Sequence, residues 1–307
     1  MEKAEFIWFN GKLVPWDEAQ IHVLSHVAHY GTGVFEGIRA YATSRGPAIL
    51  GLDRHVDRLF LSCKIIDLPL EYSKRDVSDA IRETVRRNGH ESCYIRPLVF
   101  RGYGQIGVLP TTSPVEIAIV TFEWGTLHGA EGLEKGVDVG VSSWRRMAPN
   151  THPAMAKASG NYLNSLMVIR EAKRHGYAEG IALDREGYVC EASGENLFVL
   201  YQRALYTPPL GASILAGVTR GFVFELCADL GFEIKEQRIA REMLYYADEF
   251  FMTGTAAEIT PVRSVDAMPV GDGVPGPVTK RLQKEFFGIL KGEIPDRHGW
   301  LTPVGSQ

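Results

Sequence analysis

Met155-Ala156-Lys157-Ala158-Ser159-Gly160-Asn161-Tyr162-Leu163-Asn164-Ser165 is the stretch around which this chain of 307 residues is organised. A lysine sits among small residues, and a Gly-Asn pair follows it. Beyond that pair Leu163, Leu166, Met167, Ile169 and Ala172 recur at helical spacing as far as His175-Gly176. The pattern predicts a helix that starts near Asn161 and stops at Gly176. Lys157 therefore lies on the segment that leads into the helix, where a short loop can hold it inside the fold. Its small neighbours leave room beside the amine for something bulky. A lysine in an apolar pocket has a lowered pKa and can form a Schiff base with a carbonyl. A single lysine is ordinarily a solvated cation, so the weight of Lys157 depends on its partners further along.

Composition narrows the class first. Hydrophobic residues make up 45% and charged residues 23%, the balance of a soluble globular protein, and the length suits two modest domains or one large one. A net charge of −4 leaves no basic footprint for nucleic acid. No run of 18 or more apolar residues predicts a membrane span. Met1-Glu2-Lys3-Ala4-Glu5 lacks the pattern of a signal peptide. Cys63, Cys93, Cys190 and Cys227 are scattered, which suggests neither a zinc site nor a disulfide framework and fits a reducing cytosol, hence a cytoplasmic location. His22, His26 and His29 would share a helix face, but no acidic or cysteine residue lies among them to complete a metal site.

Taken in order, Phe6 to Val14 predicts a β-hairpin with an Asn10-Gly11 turn. The run His29-Tyr30-Gly31-Thr32-Gly33-Val34-Phe35-Glu36-Gly37-Ile38-Arg39 is glycine-rich but is no dinucleotide fingerprint. Glu36 holds the place of the third glycine, and a strand follows where that motif needs a helix. The glycines instead let backbone pass close to a ligand or another subunit. Leu52 to Ile66 is a helix, with Arg54, His55 and Arg58 near the edge of its apolar stripe, and a second helix runs from Ser73 to Asn88-Gly89. Cys93 to Phe100 is a strand that puts Tyr94 and Arg96 on one face with Leu98 and Phe100, and an arginine there calls for an anion. Gly125 to Gly136 is small and charged, the expected interdomain linker. The expected organisation is thus an N-terminal α/β domain over 1–124, the linker over 125–136 and a C-terminal α/β domain over 137–307 that carries Lys157. In the latter, Gly180 to Glu191 is a second hairpin, Leu197 to Tyr201 a strand, Gly217-Val218-Thr219 a helix start, Phe250 to Ala257 a strand with a tight turn, and Pro277 to Leu290 a last helix.

These features converge on one kind of ligand. Gly217-Val218-Thr219 is an anion site by virtue of free N–H groups and the helix dipole. Gly254-Thr255-Ala256 is a second turn rich in N–H groups, and Arg58 supplies positive charge. With Lys157 and Glu191 they describe a pocket for a phosphorylated aldehyde. Pyridoxal phosphate needs one lysine for its aldehyde, one carboxylate for its ring nitrogen and one anion cup for its phosphate.

Three blocks carry a family resemblance: Lys157-Ala158-Ser159-Gly160-Asn161-Tyr162, Glu191-Ala192-Ser193-Gly194-Glu195-Asn196-Leu197-Phe198 and Gly254-Thr255-Ala256-Ala257-Glu258-Ile259. They resemble the signature blocks of the class IV (fold type IV) pyridoxal phosphate aminotransferases, the bacterial branched-chain amino acid aminotransferases above all, and the likeness extends over nearly the whole chain. It implies a two-domain α/β fold of the D-amino acid aminotransferase-like kind, with the cofactor between the domains. It implies that Lys157 is the Schiff-base lysine and the proton shuttle, that Tyr162 bonds the cofactor phenolate oxygen, and that Glu191 keeps the pyridine nitrogen protonated. Arg58, Val218, Thr219 and Thr255 match the phosphate cup. Tyr94 with the N–H groups of Thr255 and Ala256 matches the α-carboxylate clamp, while Phe35, Gly37, Trp124 and Val108 match the apolar side-chain pocket. Arg96 matches the arginine that pairs with the distal carboxylate of glutamate or 2-oxoglutarate. In the family Tyr30 and the 106–109 loop reach in from a neighbouring subunit, which implies a homo-oligomer of at least a dimer, a trimer of dimers being one such assembly.

The implied activity is ping-pong transamination of leucine, isoleucine and valine with 2-oxoglutarate, giving branched 2-oxo acids and L-glutamate, with no metal, nucleic acid or membrane partner. One departure stands out. Related bacterial enzymes often carry a tyrosine three residues after the pocket tryptophan, where this chain has Leu127 followed by His128, which leaves the grip on glutamate open. Within the family a D-amino acid aminotransferase and an aminodeoxychorismate lyase are the alternatives. Outside it, Glu191 and Glu195 could be the acid–base pair of a hydrolase, but that reading leaves Lys157 and the anion cup without a role. Otherwise Glu195 is structural, paired or capping.

Overall fold

Asn10 and Gly11 close the first hairpin at φ 45° and 93°, the positive values that a two-residue type I′ turn demands. They join β1 (Phe6–Phe9) to β2 (Lys12–Pro15). The structure, a computed structural model, describes residues 3–305. Met1 and Glu2 of the N-terminal stretch weighed above as a signal lie outside the described residues.

Then come α1 (His26–Tyr30), β3 (Gly33–Phe35), β4 (Ile38–Thr43), β5 (Gly46–Leu50), α2 (Leu52–Ile65), α3 (Lys74–Arg87), β6 (Cys93–Arg101) and β7 (Val115–Phe122). A capping box starts α3: the Ser73 hydroxyl accepts from the Asp76 N–H, and the Asp76 carboxylate accepts from the Ser73 N–H. The chain continues through α4 (Gly129–Lys135), β8 (Val137–Arg145), α5 (Tyr162–Arg174), β9 (Glu179–Leu183), β10 (Tyr188–Ala192), β11 (Asn196–Tyr201), β12 (Ala204–Thr207) and α6 (Val218–Leu230). It ends with β13 (Glu233–Glu236), β14 (Ile239–Ala240), α7 (Met243–Tyr246), β15 (Glu249–Gly254), β16 (Glu258–Val265), β17 (Met268–Pro269), α8 (Pro277–Lys291) and β18 (Leu301–Pro303).

Two compact units result. The first comprises Met1–Trp124, Ala156–Gly160 and Gly288–Gln307, and the second Gly125–Met155 and Asn161–Phe287. The first holds a sheet in the order β18-β5-β4-β6-β7-β1-β2, with β3 also on β6. Its core gathers Val34, Ile38, Ile49, Leu59, Ile81, Ile95 and Ile117. The second holds a sheet in the order β13-β12-β11-β15-β16-β8-β9-β10-β14, with β17 on β16. Val139, Ile181, Leu197, Phe250 and Met252 lie in its core.

Three expectations change here. The units are not continuous in sequence: Ala158 bridges Val34, and Leu301–Pro303 pairs with Ala48–Leu50, so both late segments belong with the first unit. Residues 125–136 are not a free connector either, since they carry α4 inside the second unit. The helix after Lys157 is where its pattern predicts, but its buried face differs. Ser165, Val168 and Ala172 are buried, whereas Leu163 is 67% and Leu166 46% exposed. The cause lies in β9, where a Cβ on Gly180 would stand 2.8 Å from Val168 Cγ1. Close approach of helix and strand selects the small residues for the packed face.

Candidate active site

In the first unit the helical period aligns His55, Arg58 and Ser62 along one side of α2, and all three are buried. Glu36, fully buried, meets them from the end of β3. Arg58 Nε donates to Glu36 Oε1 at 2.7 Å and Arg58 Nη2 to Oε2 at 2.8 Å, a bidentate fork. His55 Nδ1 lies 2.7 Å from Oε2, and because the carboxylate can only accept, that nitrogen carries the proton. Burial alone would raise the Glu36 pKa, but the charges and hydrogen bonds of Arg58 and His55 outweigh it and hold the carboxyl well below its usual range. Burial pushes the His55 pKa down against the pull of Glu36.

Ser62 Oγ, one turn on, accepts the Lys157 N–H at 3.0 Å. The Phe35 N–H donates to the Lys157 carbonyl at 3.0 Å. Lys157 is thus fixed at both its backbone groups, and its Nζ stands 5.1 Å from the centroid of the Phe35 ring.

Strand alternation on β6 sends Cys93, Ile95 and Val99 into the core and Tyr94 and Arg96 to the opposite face. Tyr94 packs against Phe122 and Trp124, with centroids 5.6 and 4.8 Å away. Its hydroxyl lies over Gly37, where a Cβ would come within 1.9 Å of that oxygen. The Arg96 guanidinium sits 4.8 Å from the Phe35 centroid and 5.3 Å from that of Tyr94. Its Nε is buried without a hydrogen-bond partner. Among the described residues no carboxylate forms an ion pair with Arg96, which leaves the anion predicted for it to come from a ligand.

In the second unit Glu191 is fully engaged. Arg146 Nη2 is 2.5 Å from its Oε1, while Asn196 Nδ2 and the Leu215 N–H donate to Oε2 at 3.1 and 3.0 Å. Asn196 also donates to the Leu215 carbonyl at 3.0 Å. Gly217 makes room for this, since a Cβ there would stand 2.0 Å from Asn196 Oδ1. Gly217 is also the N-cap of α6 and offers no side chain to its first turn, so the N–H groups near Val218 and Thr219 face outward as an anion cradle. Thr255, Ala256 and Ala257 form the three-residue loop between β15 and β16, with Gly254 opposite Glu258, and Glu258 takes φ 56° to close the turn. Tyr162 opens α5.

Beside that loop lie three groups that sequence reading did not join. Glu179, at the start of β9, and Glu195, just before β11, are 2% and 3% exposed. Burial and then the charge of Glu195 raise the Glu179 pKa above the usual carboxylate range. His128 Nε2 is 3.6 Å from Glu195 Oε1.

Of the expected site residues, Lys157, Arg58, Phe35, Gly37, Tyr94, Arg96 and Trp124 lie in the first unit, and Tyr162, Glu191, Val218, Thr219, Thr255 and Ala256 in the second. Tyr30 and Val108 stand apart at the surface, 41% and 85% exposed. Tyr30 packs at a tilt against His26, whose Nε2 bonds the Gly107 carbonyl at 2.7 Å, so one histidine ties that loop to α1. Glu36, His55, Arg146 and Asn196 were missed as site residues. Glu36 interrupting a glycine run was the signal for the first; Arg146 carries none in its neighbourhood. Burial raises the thiols of Cys63, Cys93 and Cys227 to about 12, so they are no nucleophiles at neutral pH.

The first unit offers an anchored amine, and the second a carboxylate held on both oxygens and a helix start with free N–H groups; these are the kinds of donor that pyridoxal phosphate calls for. Comparison with known proteins agrees. The family model for amino-transferase class IV matches residues 33–265. The branched-chain-amino-acid aminotransferase of Salmonella typhimurium is 52% identical over 306 residues, 99% of either chain. The crystal structure of the Escherichia coli branched-chain amino acid aminotransferase superposes with a TM-score of 0.97 at 52% identity, over 99% of this chain and 100% of that one. The branched-chain amino acid aminotransferase from Thermobaculum terrenum, solved in its PLP form, gives a TM-score of 0.93 at 32% identity, over 100% of both chains. With the family model covering most of its length and relatives this similar from end to end, the chain belongs to the class IV aminotransferases.

Proposed function

We propose that this protein transfers the amino group of leucine, isoleucine and valine to 2-oxoglutarate by ping-pong turns, with pyridoxal phosphate as cofactor. The observation that carries this reading is the anchoring of Lys157 by Ser62 and Phe35, which holds an amine at an aromatic wall. The relatives' shared activity supports the substrate class. When bound, pyridoxal phosphate supplies a carbonyl to take up amines and an electron-withdrawing ring that stabilises negative charge at the substrate α-carbon.

The chain's own residues do the rest. With the cofactor bound, Lys157 Nζ would serve as the base at the substrate α-carbon. A Glu191 carboxylate oxygen would hold the proton on the ring nitrogen, with Arg146 and Asn196 fixing the orientation of that carboxylate. Tyr162 donates to the ring oxygen. Arg58, Val218, Thr219 and Thr255 receive the phosphate, with Glu36 orienting the Arg58 fork. Tyr94 and the N–H groups of Thr255 and Ala256 receive the α-carboxylate. Phe35, Gly37 and Trp124 form an apolar wall for the branched side chain. Arg96, with no protein carboxylate paired to it, accepts the distal carboxylate of the second substrate, since a buried unpaired carboxylate would cost several kcal/mol.

The exposure of Tyr30 and Val108 supports a homo-oligomer, at least a dimer, in which they complete a neighbour's pocket. Free, buried cysteines support a reducing, cytoplasmic setting. Among the described residues no helix is long and apolar enough to cross a membrane.

Borohydride reduction of the holoenzyme followed by peptide mapping tests the assignment. The label should fall on Lys157, and Lys157→Ala should lose more than about 10⁴-fold in rate, because covalent partner and base go together. Label on any other lysine would refute it. A second expected outcome concerns the acceptor. Arg96→Met should cripple single-turnover half-reactions with glutamate and leave those with leucine within about tenfold. Equal losses would mean that Arg96 does not discriminate.

A further inference from the structure

The cluster of His128, Glu179 and Glu195 has no part in the reaction derived above. One ligand atom from each residue lies within 4.8 Å of the other two. Acidic clusters are common without an ion, so the imidazole decides the matter. The His128 side chain is 6% exposed, and its Nε2 is buried without a hydrogen-bond partner. Its nearest acidic neighbour, Glu195 Oε1, is 3.6 Å away, too far for a hydrogen bond. That separation matches two ligands on one ion, because tetrahedral Zn²⁺ with bonds of about 2.1 Å sets its ligand atoms ~3.4 Å apart.

The supporting structure is in place. Glu195 Oε2 accepts the Gly194 N–H at 3.0 Å, and Glu179 Oε1 accepts the Gly180 and Ser193 N–H groups at 2.7 and 3.3 Å. These backbone donors orient both carboxylates, as outer partners do in metal sites. His128 is held by the loop it ends: the Leu127 N–H donates to the Ala256 carbonyl at 3.0 Å. Gly132, one turn into α4, leaves space for it, since a Cβ there would lie 2.8 Å from His128 Cβ. All three residues belong to the second unit. Two carboxylates and a neutral imidazole would neutralise a doubly charged cation and remove the repulsion between the buried acids.

We propose that His128, Glu179 and Glu195 form a binding site for a divalent transition-metal ion of the Zn²⁺ or Mn²⁺ class, with a further position open to water. Mixed imidazole and carboxylate donors suit that class better than Mg²⁺ or Ca²⁺, which favour oxygen alone.

The test uses the holoenzyme, stripped with a chelator, gel-filtered and titrated with Zn²⁺ and separately with Mn²⁺. Calorimetry should show one ion per chain, and the Tm should rise with metal concentration. His128→Gln and Glu195→Gln should each weaken that binding at least tenfold. Anomalous diffraction at the zinc edge needs no variant and should place the ion at His128 Nε2. Absence of binding and of any Tm shift would mean that the acids share only a proton, and overturns the proposal. So would an anomalous peak elsewhere, or unchanged binding in both variants.

Discussion

Glu36 and Glu179 are equally hidden from water and titrate in opposite directions. Glu36 is enclosed by Arg58 and His55, and its pKa falls; Glu179 is enclosed beside Glu195, and its pKa rises. Burial pushes both upward, so the difference comes from the neighbour's charge. The contrast also separates two kinds of site. Around Glu36 the protein supplies its own counter-charge and fixes Arg58 rigidly. Around Glu179 the charge is left to a proton or an ion from outside.

The largest effect should follow from breaking the first arrangement. Glu36→Gln leaves the Arg58 charge buried without its carboxylate and should cost about 3–5 kcal/mol in denaturant unfolding. Adding Arg58→Met should recover most of the loss, and failure to recover would mean that packing, not charge, dominates there. The second test is pH. Because the Glu36 pKa is lowered by folding, its contribution is full above the unfolded carboxylate range near pH 4 to 5 and fades as pH falls below it. Because the Glu179 pKa is raised, its contribution is full below that range and fades as pH climbs through neutrality toward the raised value. Stability difference curves of each Gln variant against the parent should therefore slope in opposite senses, and parallel curves would break the comparison. The smallest effect is expected for Glu179→Gln in chelated protein near pH 4, within about 1 kcal/mol, since there the carboxyl is largely protonated in the folded and unfolded chain alike and one neutral group replaces another of similar shape. A loss as large as that of Glu36→Gln would show the carboxyl to be ionised.

Local chemistry made much of this legible from the sequence. The Asn10-Gly11 hairpin, the Ser73 cap and the alternation that turns Arg96 away from the core each depend on a few adjacent residues. The lysine, the Glu191 block and the Gly254 turn stood out because their residue types are unusual in sequence. What stayed hidden depends on distant pairing. Glu36 meets partners 19 and 22 residues away, and nothing near Arg146 points to Glu191. The buried face of α5 was misread because apolar spacing says which residues could be buried, while Gly180 on another element decides which are. Glu258–Val265 escaped notice as a strand, with Pro261 interrupting its run.

The contact between Gly37 and Tyr94 bears on any attempt to re-engineer the pocket. A methyl group at 37 would strike the tyrosine oxygen at 1.9 Å and the ring carbon beneath it at 2.8 Å, so removing the hydroxyl alone does not clear the way. The two positions are one variable: single-site libraries at 37 should return only inactive clones, and larger residues there become accessible only when position 94 shrinks in the same molecule.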